Sequence, residues 1–102
     1  MKHTDFSSTR KGDLAEYYAV TWLWDNGYEV FQNSGGNGPV DMIAMDKKGN
    51  TLLIDVKCDT WDEAIQRKKP KKARTKKQVA LGVQILSFNP DTRKLRFVKH
   101  KT

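Results

Sequence analysis

The sequence predicts an α/β (α+β) domain in which a mixed central β-sheet is flanked by helices, in the order αβββα(α)ββ. Three observations carry that expectation. Residues from about Thr9 to Asn26 repeat apolar side chains at helical spacing; Val40 to Met45 and Thr51 to Val56 are apolar runs around a short polar turn; and Val83 to Phe88 and Lys94 to Lys99 flank the turn signal Asn89-Pro90-Asp91-Thr92. At 102 residues the chain has the length of one domain with one modest core, spanning residues 1–102.

Residues 1–8 are polar and expected to fray, with Ser7, Ser8 and Thr9 as candidate helix caps. In the first helix Leu14, Tyr18 and Trp22 recur at i, i+4 and i+8, Ala15 and Ala19 broaden the stripe, and Gly27 supplies the stop. Glu16 lies on the flank of that stripe beside Val20 and Leu23. Gly12, one turn earlier, costs a helix about 1 kcal/mol relative to Ala, which points to a close approach by backbone or ligand. Tyr28 to Gln32 reads as a strand. The loop Asn33-Ser34-Gly35-Gly36-Asn37-Gly38-Pro39 matches neither the dinucleotide fingerprint nor a P-loop, and reads instead as a flexible approach to Asp41.

Asp46-Lys47-Lys48-Gly49-Asn50 reads as a three-residue hairpin loop, with Gly49 at the left-handed position. That register sets Asp46 opposite Asn50 and Asp41 opposite Asp55. Asp41, Ile43 and Met45 then share a sheet face with Leu53, Asp55 and Lys57, and Val40, Met42, Ala44, Leu52, Ile54 and Val56 form the other. Two carboxylates side by side on otherwise apolar strands repel and lose hydration, a cost that a divalent cation offsets. Beyond Lys57, Thr60 and Glu63 have capping-box spacing and predict a second helix that Pro70 ends or kinks. Thr75 restarts a short helix to Leu81, with Gly82 as its stop.

Positive charge is local. The net charge is +7, yet Arg67, Lys68, Lys69, Lys71, Lys72, Arg74, Lys76 and Lys77, eight of nineteen basic residues, fall in one segment without an acidic residue. The rest of the chain nets −1, so the segment is a polyanion-binding signature rather than a general property. Cys58 is the only cysteine, which excludes an internal disulfide and a cysteine-rich zinc site and suits a reducing, cytoplasmic setting. No apolar run is long enough to span a bilayer, so no membrane association is expected.

The arrangement Pro39-Val40-Asp41, thirteen residues, Asp55-Val56-Lys57 resembles the PD-(D/E)XK nuclease superfamily, with one inserted residue in its first half. Lys11-Gly12-Asp13-Leu14-Ala15-Glu16 and the loop Ser34-Gly35-Gly36 extend the resemblance toward small Holliday junction resolvases of archaeal type. The match covers residues 10–58, and beyond Cys58 it is carried by the order of elements. Asp55 stands where those resolvases usually have Glu. The closing hairpin, Val83 to His100, is also similar to phage and intron-encoded relatives that cut duplex DNA at chosen sequences.

The resemblance implies a restriction-endonuclease-like core and metal-dependent hydrolysis of DNA phosphodiesters, structure-specific as in the resolvases or sequence-specific as in phage, homing or restriction-type enzymes. It implies Mg2+, with Mn2+ able to substitute, held by Asp41, Asp55 and the Val56 carbonyl, with Glu16 reaching the metal directly or through water. Lys57 would orient the attacking water or neutralise developing charge. Lys11, Ser34 and the basic segment would contact branched or duplex DNA. A homodimer is expected, because two cuts placed by symmetry need two sites. A nucleic-acid-binding module without chemistry and an RNA-associated structural protein are the competing readings; neither explains two aspartates on apolar strands.

Overall fold

A computed structural model describes residues 7–100 of the chain. The expected frayed start falls largely on residues 1–6, outside the described residues; Ser7 and Ser8 are the cap and first residue of a helix. This helix, α1 (Ser8–Asp25), begins where the Ser7 hydroxyl accepts the Arg10 N–H at 3.2 Å. It stops where Gly27 takes φ 86°. Ala15, Ala19, Val20 and Leu23 are its buried residues. Two alanines on the sheet-facing side keep that surface thin, while Leu14, Tyr18 and Trp22 border it half-buried.

The strands are β1 (Glu29–Gln32), β2 (Met42–Met45), β3 (Thr51–Cys58), β4 (Thr60–Asp62), β5 (Arg67–Lys69), β6 (Gln84–Phe88) and β7 (Leu95–Phe97), with α2 (Lys76–Leu81) between β5 and β6. Five of them make a mixed sheet in the order β1-β2-β3-β6-β7. Only β3 and β6 run parallel, so the chain between them must cross over, and that crossover carries the basic segment. The α+β architecture expected from the sequence is the one observed.

The β2–β3 turn has the expected form. Met45 pairs with Thr51 and Met42 with Ile54, and Asp46 donates its N–H to the Asn50 carbonyl; Asp41, one residue before β2, donates to the Ile54 carbonyl and brings its carboxyl beside that of Asp55. Gly49 has φ 88° and donates to the Asp46 carbonyl, while the Asp46 carboxylate accepts from the N–H groups of Lys48 and Asn50. Met42, Ala44, Ile54 and Leu86 pack under α1 as the main core, joined by half-buried Leu52, Val56 and Trp22. Trp22 meets Phe97 edge-on at 5.8 Å, while Trp24 points outward. Asp55 and Leu53 alternate to the face opposite Leu52, Ile54 and Val56, as the alternation predicts, while Lys57 reaches the end of the sheet near the start of α1.

One expected element is overturned. Thr60 to Lys69 is not a helix but an antiparallel ribbon, β4–β5, pairing Thr60 with Lys69, Trp61 with Lys68 and Asp62 with Arg67. Asp62 closes its turn by accepting the Ala64 N–H at 2.8 Å and pairs with Lys69 Nζ at 2.6 Å, and Gln66 adopts φ 52°. The capping-box spacing of Thr60 and Glu63, with Trp61, Ala64 and Ile65 at helical spacing, misleads because a helix there would be cut short by Pro70 and short helices are marginal, whereas the Asp62 turn and the Asp62–Lys69 pair hold the ribbon. The Thr75 box is real: its hydroxyl accepts from Gln78 N–H, the Gln78 side chain accepts from Thr75 N–H, and Gly82 ends α2 at φ 75°. No described helix is long and apolar enough to cross a membrane.

Candidate active site

Asp41 sits one residue before β2 begins, and its side chain takes over a backbone role there. Its N–H donates to the Ile54 carbonyl at 2.8 Å, and its Oδ2 accepts the Val56 N–H at 2.7 Å. The carboxylate thus caps β3 in place of a strand carbonyl and is pinned beside Asp55. The loop before it is braced by Asn33, whose Nδ2 donates to the carbonyls of Asn37 and Val40 and whose Oδ1 accepts the Gly35 N–H. Ser34 is exposed in that loop.

Asp55 is buried, about 9% exposed, in the middle of the sheet. Its Oδ2 accepts from Gln78 Nε2 at 2.9 Å and pairs with Lys57 Nζ at 3.2 Å. Gln78 Nε2 also reaches the Pro39 carbonyl at 3.0 Å, so one buried amide ties α2 to both strands of the site. Gln78 was not singled out from the sequence; the Thr75-Lys76-Lys77-Gln78 capping pattern is the signal that could have found it.

Burial and neighbouring charge act against the ionised form of Asp41. Desolvation is the largest influence on Asp41 and raises its pKa; the Val56 N–H opposes that; hydrogen bonding and charge from Asp55, and then the charge of Glu16, raise it further, to about 7. Glu16 is also raised, first by burial and then by Asp13 and Asp55. Glu16 is therefore near enough to feel the site's charge, although it also lines a small hollow with Asp13, Tyr17 and Gln32.

Whether these groups suit a metal follows from the donor set. Among the described residues no three His, Cys, Asp or Glu side chains stand close enough to enclose an ion by themselves. Two oxygen donors with mutual repulsion, plus the Val56 carbonyl, instead fit a hard ion that keeps several waters and shares a substrate phosphate, the habit of Mg2+. The residues present fit such a group.

The fold brings Lys11 to this site and distributes the basic segment unevenly. A cleft of about 540 Å3 is lined by Lys11, Gly12, Val56, Lys57, Trp61, Lys68 and Lys71, among others. A Cβ on Gly12 would meet nothing within 4 Å, so no backbone approaches there; the glycine faces open space. Arg67, Lys68 and Lys69 are on β5, and Lys71 and Lys72 follow it. Arg74 turns inward and donates from Nη1 to the Val83 carbonyl at 3.1 Å. Lys76 and Lys77 are exposed on the first turn of α2. A second cleft of about 580 Å3 adds cations that the sequence reading left out, Lys94 and Arg96.

No protein-family profile matches the chain, and no curated protein does. Among solved structures, the bacterial homing endonuclease I-Ssp6803I superposes with a TM-score of 0.74 over 91% of this chain and 69% of its own, at 16% sequence identity. At that identity the likeness shows a shared fold.

Proposed function

We propose that this protein is a divalent-metal-dependent endonuclease of PD-(D/E)XK type that hydrolyses phosphodiester bonds of duplex DNA, Asp41, Asp55 and Lys57 forming its catalytic centre. The observation that carries the reading is the geometry of the two strands: opposed carboxylates at a strand end, the Val56 backbone between them, and an ammonium 3.2 Å from Asp55. The homing endonuclease with this fold supports duplex cleavage over junction resolution, for which the resemblance of residues 10–58 is the only argument.

Asp41, Asp55 and the Val56 carbonyl would hold Mg2+ or Mn2+, with Glu16 adding charge at longer range. A bound divalent ion supplies Lewis acidity to a phosphoryl oxygen and lowers the pKa of a water. The chain does the positioning. The Val56 N–H fixes the Asp41 carboxylate, Gln78 fixes that of Asp55, and Lys57 places a cation where negative charge grows on the phosphate oxygens. Lys11, Lys68 and Lys71 hold the strand beside Lys57. A homodimer would supply the second cut of a double-strand break.

The test is a substrate panel of duplex plasmid, four-way junction, single strand and duplex RNA, each with Mg2+ or EDTA and with products mapped. The proposal expects Mg2+-dependent cuts in duplex DNA. Preferential, symmetric cutting of the junction would favour the resolvase reading, and binding without cleavage would remove the catalytic one.

A further inference from the structure

The β4–β5 ribbon belongs to neither the central sheet nor its helices, and the proposed chemistry does not use its tip. Two basic clefts flank it. One lies between the ribbon and the start of α1 and holds Lys57 with Lys11, Lys68 and Lys71. The other lies between the ribbon and the β6–β7 hairpin and holds Lys94 and Arg96; Lys68 and the acidic Asp59 line both clefts, and Arg67 stands at the edge of this one nearest the tip. The tip between them differs in chemistry: Glu63, Ile65, Gln66 and Arg67 are exposed there, presenting acceptor, apolar, amide and guanidinium groups. Glu63 would be a poor neighbour for a phosphate.

Resting on the reading that the protein acts on DNA, we infer that the β4–β5 ribbon inserts into the major groove of duplex DNA and reads base edges with its tip, while each flanking cleft grips one of the two backbones. A two-stranded ribbon has the dimensions of the B-form major groove. Cations on both flanks meet the two phosphate rows that border that groove, and only the α1 side also contains Lys57, so the strand lying there is the one to be cut. At the tip, Arg67 suits guanine, Gln66 suits adenine, a Glu63 carboxylate accepts from cytosine amines, and Ile65 suits a thymine methyl. The tip is held in shape before it meets DNA: Gln66 Nε2 donates to the Glu63 carbonyl at 2.7 Å and to the Glu63 carboxylate at 3.2 Å, the latter a bond that contact with bases would exchange, and Asp62 ties Ala64 and Lys69. The deep, narrow major groove of A-form RNA would not admit it.

The test is a selection from duplexes with a randomised core, run in EDTA so that it does not depend on cleavage, with duplex RNA as a parallel arm. Wild type should enrich a defined sequence and reject RNA. Arg67→Ala and Gln66→Ala, at exposed positions, should each lose preference at a few base pairs, by roughly tenfold at those pairs. Lys94→Gln and Arg96→Gln should weaken all duplexes alike and lower the salt slope by roughly 0.9 each. An unchanged selected sequence in both tip variants, an unchanged salt slope in the cleft variants, or equal binding to duplex RNA would overturn the inference. A protein that selects through its ribbon but never cuts would refute the endonuclease reading alone; one that cuts while the tip variants keep their profile would refute the ribbon alone.

Discussion

Asp41 concentrates the physical tension of the site. Its folded carboxyl takes up a proton at about 7 against an ordinary 3.8, so folding binds a proton between those values. The sign follows: the stability it contributes is full below the ordinary value and declines as pH rises toward 7. Melting temperatures of the metal-free protein should show this decline, and Asp41→Asn should flatten it. Added Mg2+ should stabilise wild type more at pH 8 than at pH 5, because the ion needs the ionised carboxylates. Gln78 offers a second check. Gln78→Leu leaves Asp55 and the Pro39 carbonyl without their donor and should cost about 1–3 kcal/mol in urea unfolding. Gln78→Glu sets a third carboxylate against Asp55, and its loss of stability should be partly restored by Mg2+. For Glu16, Glu16→Gln should lower turnover with little change in melting temperature if its charge serves the site; unchanged turnover would leave it a flank residue.

Elements differ in how plainly their residues announce them. The facing of Asp41 and Asp55 was legible because one glycine decides the register: with Gly49 left-handed, the loop length follows, and every pair down the ladder follows from it. Gly49→Ala should therefore cost about 1–2 kcal/mol, measured by chemical denaturation, without moving the active-site pair. The ribbon was not legible. Thr60 and Glu63 satisfy a local rule for starting a helix, whereas what holds the ribbon is the Asp62 turn, the Asp62–Lys69 pair and the strand pairing of Thr60–Asp62 with Arg67–Lys69. Gln78 was hidden for another reason: its partners, Pro39 and Asp55, are brought to it only by the crossover from β3 to β6. Of the basic segment, charge was readable from composition but direction was not, as the inward turn of Arg74 shows.

At the scale of the molecule, the exposed aromatics bear on assembly. Trp24 on α1 and Phe31 on the edge strand β1 are each more than half exposed, at 59% and 52%. A homodimer joined through this edge would cover them, and Trp24→Glu with Phe31→Glu should then give a monomer by light scattering and nicks in place of double-strand breaks. The central claim, that the neighbouring aspartates just before β2 and in β3 make a phosphodiesterase, is tested most directly by one rate: single-turnover cleavage of duplex plasmid by Asp41→Asn, at saturating Mg2+ and with DNA binding verified. The account predicts a fall of roughly a hundredfold or more with DNA affinity retained. A cleavage rate equal to wild type would contradict it.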